Sequence, residues 1–177
     1  IDSVVRYCCT YRFTSYTQFR FLLSTYGVSV TEVSSLPQRF VFRGLDDKGK
    51  ACTVPISRKD LSSDPVKMFQ ARSKECSRTK GYHGTGELSE VCLQCLKEST
   101  SQKHFRAMLA AENVDVKIMR NNDGVISRVM FIDHETKNVH NLSELKNLSL
   151  ADFRNAETQG QWQGQNNDAK QEPLVGM

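Results

Sequence analysis

Apolar positions along the chain change their spacing in the same order twice. Val4, Val5, Cys8 and Cys9 are spaced for a short helix with one buried face, and Val91, Cys92 and Cys95 repeat that pattern later. Thr14 or Ser15, and then Thr100 or Ser101, offer a hydroxyl to cap a second helix. Phe19, Leu22, Leu23 and Tyr26 line the first of these helices, and Phe105, Met108 and Leu109 line the other. Gly27 and Asn113 end them, two residue types suited to the left-handed backbone of a helix C-terminus. Alternation then replaces the helical period in Val28-Ser29-Val30-Thr31 and in Val114-Asp115-Val116-Lys117-Ile118, which predicts strands. Phe40-Val41-Phe42 and Val129-Met130-Phe131-Ile132 predict second strands, with a hairpin turn at Asn121-Asn122-Asp123-Gly124. Asp46-Asp47-Lys48-Gly49 and His134-Glu135-Thr136-Lys137 read as further turns, leading to third strands near Cys52–Val54 and Val139–Asn141.

These recurrences share a frame. Displacing the sequence by 86 positions sets Val5 on Val91, Cys9 on Cys95, Phe19-Arg20 on Phe105-Arg106, and Val28 and Val30 on Val114 and Val116. One extra residue brings Asp46 onto Asp133 and Leu61 onto Leu148. The expected fold is α+β, built from two helix-helix-β-meander units over about 4–63 and 90–149. Residues 64–89 read as a basic linker or helix with a glycine-containing end, and residues 156–177 as a disordered tail. A unit this small is marginal alone, so the two are expected to share or abut apolar faces.

Composition narrows the class without naming an activity. In 177 residues, 38% hydrophobic and 25% charged content fits a globular protein. No apolar run approaches the roughly 20 residues of a membrane span, and the opening Ile1-Asp2-Ser3 lacks an initiator Met and the layout of a signal peptide, as expected of a piece of a longer cytoplasmic protein. The six cysteines are too sparse for a disulfide scaffold and fit a reducing compartment. Residues 1–86 hold 14 Lys+Arg against 7 Asp+Glu, and residues 87–177 hold 10 against 13. The first half is thus the better candidate for a polyanion surface.

Ordered blocks carry a resemblance over about residues 4–150. Arg120-Asn121 and Gly124, then Phe131-Ile132-Asp133-His134, Val139 and Asn141, resemble the C-terminal region of relaxases from Bacteroides-type mobilisable elements. The preceding segment of that family is similar to residues 16–23 (Tyr-Thr-Gln-Phe-Arg-Phe-Leu-Leu), 28–33, Arg43-Gly44-Leu45 and Asp46-Asp47-Lys48-Gly49. The resemblance implies a parent protein that nicks DNA at a transfer origin with an N-terminal tyrosine and a histidine-bound divalent metal. The family tends to follow the Asn matching Asn141 with Gly-Ser-Arg-Leu-Gly-Lys, whereas this chain has Leu142-Ser143-Glu144-Leu145-Lys146-Asn147. Glu144 removes an arginine that a phosphate contact there would use, and Lys146 compensates in part.

Catalytic chemistry is not expected from this span. The histidines are His83, His104, His134 and His140, with no His-x-His pair, and Asp133, His134 and His140 make a weak ligand set. Cys92-Leu93-Gln94-Cys95 has zinc-like spacing, completed in principle by Cys8 and Cys9, but Cys9 and Cys95 are equivalent positions and core packing is the favoured reading. Tyr7, Tyr11, Tyr16 and Tyr26 could stack on unpaired bases, although core or rim positions are commoner. No metal or other cofactor is expected. The expected partner is origin-of-transfer DNA, held by backbone contacts from Arg43, Lys48, Lys50, Arg58, Lys59, Lys67, Arg72, Lys74, Arg78, Lys80, Arg120 and Arg128. The alternative is a protein-interaction module whose second unit offers a β-edge to a coupling or accessory transfer protein.

Overall fold

The computed structural model describes residues 1–32, 40–57, 60–61, 64–78 and 85–162, with the backbone alone at 65, 66, 77 and 78. The expected residues Arg58, Lys59 and Lys80, and the tail from 163 onward, lie outside the described residues. The fold is α+β: the described residues form six α-helices and two three-stranded antiparallel sheets. The chain divides into a first unit, Ile1–Tyr82 with Lys137–Val139, and a second, His83–Thr136 with His140–Met177.

In the first unit, α1 (Asp2–Cys8) and α2 (Tyr16–Thr25) precede strands β1 (Val28–Glu32), β2 (Phe40–Gly44) and β3 (Ile56–Ser57), and α3 (Pro65–Arg78) closes the unit. Ser15 caps α2, its hydroxyl accepting the Gln18 N–H, while the Gln18 side-chain Oε1 accepts the Thr14 N–H at 2.7 Å. Val28 and Val30 are buried on one face of β1, in register with Gly44 and Phe42 of β2. The core is aromatic, with Phe13, Phe19 and Phe69 at centroid separations of 5.1 to 5.7 Å, and Val5, Cys8, Leu22 and Leu23 are buried as well. Residues 137–139 join this unit through backbone pairing: the Arg12 N–H donates to Lys137 O at 2.8 Å and the Val139 N–H to Arg12 O at 2.9 Å.

In the second unit, α4 (Thr85–Glu98) and α5 (Gln102–Ala111) precede β4 (Val114–Arg120), β5 (Ile126–Asp133) and, from His140 on, the end of β6 (Asn138–Asn141), then a 3-10 turn at Leu142–Glu144 and α6 (Leu150–Thr158). The start of α5 follows the start of α2 in detail. Ser101 accepts the His104 N–H, and His104 Nδ1 accepts the Thr100 N–H at 3.2 Å. Gly27 at φ 72° and Asn113 at φ 60° both leave their helices in the left-handed region. The core gathers Cys92, Phe105, Leu109, Val116, Val129 and Phe131 among others.

Four sequence expectations need correction. The third strand of the first unit is Ile56–Ser57 rather than 52–54, where only an isolated bridge joins Leu45 to Ala51. Helix α4 begins at Thr85, inside the stretch read as a linker, because Leu88 and Ser89 are buried together with Cys92. Residues 156–162 are not a disordered tail: Ala156 ends a buried face that begins at Phe153, and Trp162 is buried with its indole N–H donating to Ser99 Oγ at 2.9 Å. Asp46 and Asp133 do not hold corresponding sheet positions, since Val28 pairs with Gly44 whereas Val114 pairs with Asp133. The turn of Asp46 matches that of Asn121 instead. Asp46 Oδ1 accepts the N–H groups of Lys48 and Lys50, Asn121 Oδ1 those of Asp123 and Val125, and Gly49 and Gly124 sit at φ 75° and 78°.

Candidate nucleic-acid interface

Among the described residues, the exposed candidate cations of the first unit fall into two groups set by local structure. On β2 the inner face carries Phe42, so alternation turns Arg43 outward, opposite Ser29 of β1. The Asp46 turn then presents Lys48 and Lys50 to solvent, with its own Asp46 and Asp47 tempering the charge. Helix α3 supplies the other group. Lys67 and Lys74 are exposed and seven residues apart, two turns along one helix face. The acids beside them are engaged: Asp64 Oδ1 accepts the Lys67 N–H at the start of α3, and Glu75 pairs with Arg72 at 2.9 Å. Arg78 lies within α3. In the second unit Arg128 is exposed on β5, opposite Met119.

Arg72 and Arg120 also brace the fold. Arg72 Nε donates to Tyr11 O at 2.8 Å, and its terminal nitrogens reach Thr10 O and Glu75, so this guanidinium ties α3 to the segment after α1. Arg120 donates to Gly124 O, to Gln102 and to Glu157, bracing the β4–β5 turn against α5 and α6. A guanidinium that spends several of its five N–H donors on oxygens of its own chain has fewer left for a phosphate. Arg106 and Arg154 are used in the same manner, donating to Val116 O and Ile126 O respectively.

The other candidate groups also resolve into packing. Cys92 and Cys95 lie in the core, and burial pushes both thiols upward, as it pushes Cys8 up to about 12. Asp133 accepts the N–H groups of Glu135 and Thr136, His134 pairs with Asp115 at 2.8 Å, and His140 with Glu144 at 3.1 Å. Each of the three therefore faces its own partner. Among the described residues no group of three or more His, Cys, Asp and Glu side chains is arranged to hold a metal ion.

Tyr11 is buried, and its hydroxyl meets that of Tyr26 at 2.7 Å. Tyr16 packs on Phe40 and Phe69, and burial pushes its phenol up to about 12. Tyr7 differs, being 43% exposed, with its phenol held below the ordinary value by hydrogen bonds from Tyr11 and Tyr26. Lys137 Nζ stands 5.1 Å from the Tyr7 ring centroid, a cation–π contact absent from the sequence reading because 130 residues separate the partners.

No helix among the described residues is long and apolar enough to cross a membrane. Comparison with known proteins adds no relative: no family model matches the chain, and no curated protein or solved structure does so either.

Proposed function

We propose that this chain is a non-catalytic accessory region of a DNA-mobilisation relaxase that works in the cytoplasm and grips origin-of-transfer DNA through its phosphate backbone. The observation that carries this reading is the exposure of Arg43, Lys48, Lys50, Lys67 and Lys74 on the half of the sequence with the cationic excess. Such side chains reach phosphate oxygens without reading base edges, so they hold and orient DNA rather than select it. Affinity of this kind falls steeply with salt, because each neutralised phosphate releases counterions.

A salt titration with single-stranded and duplex origin DNA tests the reading. Binding at low salt with a steep log–log slope is the expected outcome, and replacing Lys67 and Lys74 with Ala should flatten that slope by about one unit per lost contact. No binding at low salt to either form would refute it. With Mg or Mn added, the chain alone should leave supercoiled origin DNA intact, whereas nicking abolished by His134→Ala would make the chain an enzyme. A second reading, a protein-interaction module, is favoured by one feature: β4 lies at a sheet edge.

A further inference from the structure

The strand order β4-β5-β6 leaves β4 at one edge, and among the described residues no other strand pairs with it. The His134 N–H donates to Asn113 O at 3.1 Å, and the register then runs from Val114↔Asp133 to Met119↔Arg128. Antiparallel pairing alternates, so the backbone groups of Asp115, Lys117 and Met119 face β5, and those of Val114, Val116 and Ile118 point away from it. Arg106 reaches this outer edge, its guanidinium donating to Val116 O at 2.7 Å. Side chains alternate as well. Val114, Val116 and Ile118 are buried in the core, while Asp115 and Lys117 sit half-exposed on the opposite face.

We propose that the β4 edge pairs antiparallel with β4 of a second copy of this chain, about a two-fold axis at Val116, with Arg106 as the latch that must release Val116 O. The charges choose this register. A strand added at this edge must use Val114, Val116 and Ile118 as its hydrogen-bonded residues, which permits axes at Asp115, Val116 or Lys117. An axis at Asp115 sets that carboxylate opposite its own copy, and an axis at Lys117 sets two ammonium groups opposite each other. The axis at Val116 places Asp115 of each chain opposite Lys117 of the other and joins the two Val116 residues by a reciprocal pair of hydrogen bonds. Opposite charges across a pair favour it and like charges oppose it, so the strand is complementary to itself in this register. The same contact on both copies closes as a dimer. No proline interrupts β4, and Arg106 guards a single carbonyl.

Sedimentation of the whole chain tests this. The unaltered chain should self-associate reversibly, and Arg106→Ala should tighten the association. Lys117→Asp, which leaves the Asp115–His134 pair in place, should weaken it by at least about tenfold. Asp115→Lys should weaken it likewise. An equimolar mixture of these two single variants should pair again, since each cross-strand contact between positions 115 and 117 would then join a carboxylate to an ammonium group. Far-UV circular dichroism verifies that each variant is folded. The proposal is overturned if the unaltered chain and Arg106→Ala both stay monomeric at high protein concentration, if Lys117→Asp leaves association unchanged, or if the folded single variants fail to pair in the mixture.

Discussion

The first unit builds its core from rings and the second from long strands. Strands of five, five and two residues give the first unit little sheet surface, and Phe13, Phe19, Tyr16, Phe40 and Phe69 fill the space between α2, β2 and α3. The second unit has strands of seven, eight and four residues, and aliphatic side chains from β4 and β5 alternate into its core. On β5 even the opposite face is covered, because Met130 and Ile132 are buried as fully as Val129 and Phe131. The same order of helices and strands thus serves two packing solutions. It also serves two surfaces, since the cationic excess falls in the half of the sequence that builds the ring-packed unit and the β4 edge belongs to the strand-packed one.

The sharpest way to break this contrast is to empty the second core. Phe131→Ala should cost about 3–5 kcal/mol in chemical denaturation, as for other large buried rings. A smaller loss would mean that β5 is not the centre of that unit. Alkaline pH offers the next largest effect. Burial raises the Cys8 thiol from 9.0 to about 12 and that of Cys9 to about 11. Their contribution is fully present below pH 9, where the unfolded thiols are still protonated, and is lost as pH rises towards the folded values. Stability measured from pH 8 to 11 should therefore fall, and Cys8→Ala should make that fall shallower. Arg72→Ala comes third, at about 1–3 kcal/mol, because it leaves the part-buried Tyr11 carbonyl without its donor. Lys67→Ala and Lys74→Ala should stay within about 0.5 kcal/mol, and thermal melts of the three variants would separate structural from surface cations. Helix ends offer the last comparison: Gly27→Ala should cost about 1 kcal/mol and Asn113→Gly almost nothing, since both sites hold positive φ.

Local signals were legible in the sequence, and distant partnerships were not. Ser15, Ser101, Gly27, Asn113 and the Asn121–Gly124 turn act through atoms a few residues away, so their roles follow from type and spacing. Arg72 could not be separated from Lys74 by composition, because its acceptors lie 61 and 62 residues earlier. Helix α6 did leave a trace: Ser149 and Asp152 form a reciprocal cap ahead of Leu150, Phe153 and Ala156. The glutamines around it hid that trace, since they lower the local apolar content. Gln161 is itself structural, its amide donating to Leu96 O in the last turn of α4 and to Ser99 O just beyond the helix at 3.0 Å. The third strand of the first unit was misplaced because Cys52-Thr53-Val54 has strand-forming residues but is exposed, with Val54 81% open.

The return of Trp162 to the second core has an optical consequence. It is the one tryptophan of the chain, and all five tyrosines precede residue 83. Indole emission excited at the red edge of its absorption band therefore reports on the second unit alone, while near-ultraviolet absorbance of the phenols reports on the first. A single denaturation experiment recorded in both channels would reveal whether the two units melt together or in sequence, without labels or truncation.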